Sequence, residues 1–136
     1  MAPEALTRRV AVGLIALCSV ILGCSCVRRD PVEAAWKVEP SPPIANATAV
    51  VRVMLYVPGG MDAEATTVVS SAKLRLEAHM PHPGMAPLTT DMVERSAGNY
   101  ESSVRLSMDG AWTLVVNGTL VDGRRITKQM EVTAVR

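Results

Sequence analysis

Residues 72–78 read Ala-Lys-Leu-Arg-Leu-Glu-Ala, an unbroken alternation. Ala72, Leu74, Leu76 and Ala78 lie on one side of an extended chain, and Lys73, Arg75 and Glu77, followed by His79, on the other. A period of two marks a strand with one buried and one wet face. The pattern recurs along the chain. Residues 49–57 are rich in β-branched side chains and stop at Pro58-Gly59-Gly60. Tyr100, Ser102, Val104, Leu106 and Met108 share a face, and Trp112, Leu114 and Val116 continue in the same fashion. The last strand presents either Ile126, Lys128, Met130 and Val132 or the opposite register to the core. Residues 88–95 make a weaker strand, and residues 36–39 a short first one. Gly98-Asn99 turns the chain, and Asp109-Gly110 and Asp122-Gly123 are hairpin signals. About seven short strands with turn chemistry every 8–12 residues or so specify an all-β, antiparallel β-sandwich. With no Phe and only two Trp, its core rests on Val, Leu, Ile and Met, with Trp112 as the central ring.

The N-terminal region reads as an address. Arg8 and Arg9 precede a charge-free apolar run over residues 10–23, the pattern of a secretory signal and shorter than the roughly 20 residues of a comfortable membrane span. The run ends Val20-Ile21-Leu22-Gly23-Cys24, which resembles a bacterial lipobox, with Leu22 where a small residue is usual. That resemblance implies removal of residues 1–23 as a lipoprotein signal peptide and acylation of Cys24. An uncleaved anchor over residues 10–27 and plain cleaved secretion are the alternatives. All three place the remainder outside the cytoplasm, and the lipoprotein reading holds it to a bacterial membrane, on the periplasmic side or the cell surface. Residues 24–43, with Pro31, Pro40, Pro42 and Pro43, then read as an extended membrane-proximal tether, and residues 44–136 as the domain. Cys26 is incidental to that tether.

Composition excludes several function classes. A net charge of +1 provides no basic field for nucleic acid. Three cysteines without a Cys-x-x-Cys pair make neither a disulfide framework nor a structural zinc site. Phosphate-binding glycine motifs are absent, and both histidines fall in one segment, so no catalytic constellation can be assembled and the chain reads as a non-enzyme. What chemistry there is lies in His79-Met80-Pro81-His82-Pro83-Gly84-Met85, a loop after the cleanest strand. Thioether and imidazole suit copper, Cu(I) above all. In a straight polyproline-type segment residues three apart are separated by about 9 Å, too far to share an ion. A type II turn centred on Pro83-Gly84 instead brings His82 and Met85 within about 7 Å. His82 and Met85 are therefore the leading ligand pair, Met80 a third member and His79 a fourth or an alternate, with Met108 approaching from a neighbouring strand. The competing reading is a proline-rich loop whose methionines plug one end of the core.

Met80-Pro81, His82, Gly84-Met85, then Gly98-Asn99-Tyr100, then Met108-Asp109-Gly110-Ala111-Trp112-Thr113-Leu114 together resemble the YtkA-like domain, related to FixH. Ser107 stands where many members carry His, and Asp109 where they carry Pro. The resemblance implies an immunoglobulin-like β-sandwich on an extracytoplasmic, membrane-attached protein. It also implies copper handling beside a membrane partner such as a respiratory oxidase under assembly. The alternative is a metal-free interaction or scaffolding module of a membrane complex.

Overall fold

The computed structural model describes residues 31–59 and 66–136. These form β1 (Glu33–Glu39), β2 (Thr48–Val57), β3 (Thr67–Val68), β4 (Lys73–His79), β5 (Leu88–Asp91), β6 (Val93–Ser96), β7 (Asn99–Arg105), β8 (Gly110–Thr119) and β9 (Arg125–Ala134), with no helix among the described residues. The signal, the acylation site at Cys24 and the anchor lie outside them. One sheet runs β1-β2-β7-β6, with β3 added to β2, and the other runs β5-β4-β8-β9. Every strand pairing is antiparallel. Setting aside β3 and β5, the remaining strands follow the first-second-fifth-fourth and third-sixth-seventh order of an immunoglobulin constant-type sandwich.

The alternation read from sequence builds the core. Val51, Val53 and Leu55 from β2 and Tyr100, Ser102 and Val104 from β7 face Leu74, Leu76 and Ala78 from β4 and Trp112, Leu114 and Val116 from β8, all buried. β9 adopts the register that turns Ile126, Lys128, Met130 and Val132 inward, half-buried. Asp122-Gly123 makes the β8–β9 hairpin: Gly123 has φ +86° and donates to Leu120 O, and Leu120 donates to Arg124 O, the three-residue loop with a glycine bulge.

Three expectations differ from the structure. Residues 88–95 are not one strand. The chain leaves one sheet as β5 and joins the other as β6, turning at Met92, which is buried and donates to Leu74 O. The buried Ser102 hydroxyl meets Thr90 Oγ1 and Asp91 O, each at 3.2 Å, and ties the corner to the opposite sheet. Asp109-Gly110 is not a hairpin turn: β7 lies between β2 and β6, β8 between β4 and β9, so the connection crosses between sheets. A dipeptide of this kind reports a backbone angle (Gly110 φ +122°) and is silent on which strand comes next. Met108 consequently lies in the crossing loop, 41% exposed, rather than on the buried face of β7. Finally, the proline-rich stretch contributes a full strand. β1 pairs with β2 from Glu33↔Tyr56 to Glu39↔Val50, Val32 and Val38 are buried, and Ile44 bridges Val135.

The strands run between two poles. One pole carries residues 40–47, the loop after β4, the β7–β8 crossing and the C-terminus; Asn46 N–H reaches Leu106 O, and Asp109 pairs with Arg136 at 3.2 Å. The chain enters β1 at the other, where Gly98 and Tyr100 act as a latch. Gly98 has φ +77°, and a Cβ there would stand 2.7 Å from Val68 Cβ. The Tyr100 hydroxyl donates to Val69 O at 2.8 Å and accepts from Ala72 N–H at 3.0 Å. Burial raises the Tyr100 pKa, because the ionised phenolate is the form disfavoured by loss of water. Its folded value lies above the unfolded one, so the stabilisation is complete below about pH 10 and is lost as pH rises past that point. Tyr100→Phe should cost about 1–2 kcal/mol in urea unfolding at neutral pH. It should also reduce the loss of stability as pH rises above about 10.

Candidate metal-binding pole

Two consecutive turns shape the loop after β4. His82 N–H bonds back to Met80 O at 2.7 Å across Pro81; the fixed φ of proline suits this tight three-residue turn. Met85 N–H then reaches His82 O at 3.3 Å, and Gly84, at i+2, has φ +80°. This is the type II turn expected for Pro83-Gly84, with His82 and Met85 at its ends.

The side chains divide in a way the spacing does not reveal. His82 is exposed, and its Nδ1 lies 3.1 Å from Pro83 O. A carbonyl only accepts, so Nδ1 donates and the neutral ring keeps its lone pair on Nε2, the arrangement seen in metal-bound histidines. Met80 and Met85 are half-buried and pack against the core. The Met80 methyl is the nearest atom to the space above Gly110, 3.0 Å from where a Cβ would stand. The two halves of the motif, 80–85 and 108–114, thus meet through Met80 and Gly110, two residues from the exposed Met108. The Trp112 indole N–H donates to Met108 O at 3.0 Å and fixes that crossing loop. His79 lies apart from this group. It faces the outer surface of its sheet, and its Nε2 is 3.1 Å from Glu77 Oε2.

Among the described residues no group of three or more His, Cys, Asp or Glu side chains is placed to hold a metal ion. A site at this pole would therefore depend on methionine sulfur. One imidazole with neighbouring thioethers fits a soft monovalent ion and offers little to zinc or to hard divalent cations. Met108 is the member that alternation along β7 misplaces. The residue that Met80 meets, Gly110, is visible in sequence only as a turn glycine.

A crystal structure of an engineered protein is 18% identical and superposes on 76% of this chain with a TM-score of 0.49; the chain spans only 20% of that protein's length. No curated protein matches the chain. The family model described as YtkA-like matches residues 29–117, more than half of the sequence and inclusive of the loop, the latch and the sheet crossing, and the chain belongs to the YtkA-like family.

Proposed function

We propose that this is an extracytoplasmic, lipid-anchored protein, not an enzyme, that binds Cu(I) at the His/Met pole and passes it to a membrane partner such as a respiratory oxidase under assembly. The observation that carries the reading is the closed Pro83–Gly84 turn. It sets the free Nε2 of His82 and the thioether of Met85 on the two arms of one turn. Met80 and Met108 stand at the same pole. Exposure of the imidazole favours exchange of cargo over permanent retention, since an ion held by few protein ligands can be taken over by an incoming set. Resemblance to FixH-related proteins supports the copper context and the membrane partner, and the lipobox-like Ile21-Leu22-Gly23-Cys24 supports the anchor.

Titration of the full chain in detergent with Cu(I) against a competing chelator tests the reading. One ion per chain should bind. His82→Ala and Met85→Ala should each weaken it by about tenfold or more, equivalent to roughly 1.4 kcal/mol or more. His79→Ala should have a smaller effect, because that ring is directed to Glu77. Affinity no greater than that of an unrelated sandwich overturns the copper reading. Mass spectrometry of the native N-terminus tests the anchor separately, by a diacylglyceryl group on Cys24.

A further inference from the structure

β9 is the edge of its sheet, and no described strand pairs with its outer side. Leu120 N–H bonds to Arg124 O, so the antiparallel ladder directs the amide and carbonyl groups of even-numbered β9 residues toward β8 and those of odd-numbered residues outward. Beyond the strand, Val135 follows the same rule and is already taken, bonding Pro43 and Ala45. The free stretch lacks most of the devices by which natural edges avoid pairing. It contains no proline, and its register with β8 never shifts from Gly110↔Ala134 to Thr119↔Arg125. Its inward charge, Lys128, is engaged by Glu33 at 3.6 Å. On the wet face, Arg125 and Glu131 form no ion pair among the described residues.

We propose that β9 pairs antiparallel with β9 of a second copy of this chain, about a two-fold axis at Lys128, to fuse two four-stranded sheets into one. Self-complementarity selects both occupant and register. About Lys128, Arg125 lies opposite Glu131 of the second copy, and symmetry repeats the pair. Thr127 lies opposite Gln129 and Ile126 opposite Met130. The two Lys128 side chains meet at the axis, each drawn away by its own Glu33. A two-fold axis at Gln129 would set Arg125 against Thr133, and one at Thr127 would set it against Gln129; neither joins the charges. The Lys128 register engages residues 125–131 and stays clear of the bonds at Val135. The contact is isologous and closes after two copies.

Sedimentation of the full chain in detergent tests this, with circular dichroism checking that each variant is folded. The wild type should dimerise, more weakly as salt rises. Glu131→Arg and Arg125→Glu should each weaken the dimer by about tenfold or more, since two opposite-charge pairs become like-charge pairs. The double exchange should restore it. A wild type that stays monomeric up to about 1 mM (roughly −4 kcal/mol of association) overturns the proposal. So does a dimer that neither single variant weakens, which would assign association to another surface. Coverage of the edge by another segment of the chain would produce the monomeric result. The copper titration is indifferent to these substitutions, so the two proposals fail separately.

Discussion

Trp112→Ala should lower stability by about 4 kcal/mol, a large part of the roughly 5–15 kcal/mol that holds a domain of this size. The ring is 1% exposed and sits on β8, the strand between β4 and β9. Removing it leaves a cavity that neighbouring valines and leucines cannot fill, since a β-sheet backbone collapses little. It also removes the donor to Met108 O, so the crossing loop loses its tie to the core. Trp112→Phe separates the two contributions: it keeps most of the ring and should cost about 1–2 kcal/mol for the unsatisfied carbonyl and the smaller volume. Urea unfolding followed by circular dichroism reads both. A loss under about 1.5 kcal/mol for the alanine variant would contradict a central packing role.

Gly118→Ala is expected to be the next most damaging change, at about 3 kcal/mol. A Cβ at Gly118 would stand 2.4 Å from both Leu74 Cδ2 and Lys73 O. Leucine can change rotamer, but the carbonyl belongs to the β4 backbone paired with this strand, so relief requires moving a strand. Gly123→Ala is the control. Nothing lies within 4 Å of its Cβ, and only φ +86° opposes the substitution, at about 1 kcal/mol. The same methyl group should therefore have unequal effects on one hairpin, measured by the shift in denaturation midpoint. Equal losses would mean that the strands separate at no cost.

The fold was legible wherever one face of a strand is buried. Leu74, Leu76 and Ala78 against Lys73, Arg75 and Glu77 leave only one arrangement open, and Trp112 declared itself as the large ring in a chain without Phe. Legibility failed where pairing depends on distant segments. Nothing between residues 88 and 96 announces that Met92 is a corner between sheets, because Leu74 O and Ser102, which hold that corner, are remote in sequence. Proline density hid only the start of β1: Trp36 and Val38 alternate with charged residues and mark residues 36–39, whereas residues 33–35 cannot be told from tether. The Pro83–Gly84 turn was readable, since proline and glycine specify φ at adjacent positions. The separation of His79 from His82 was not, because only the sheet decides that one ring meets Glu77 while the other stands clear.

β1 starts at the pole opposite the His/Met loop. Seven residues at about 3.3 Å each put roughly 23 Å of sheet between the two ends. An anchor upstream of Pro31 would thus use the sandwich as a standoff, lifting His82 clear of the lipid headgroups. A recipient buried flush with the bilayer would be out of reach of an upright domain. Cargo would pass to a protein that rises to a similar height, or during moments when the molecule reclines.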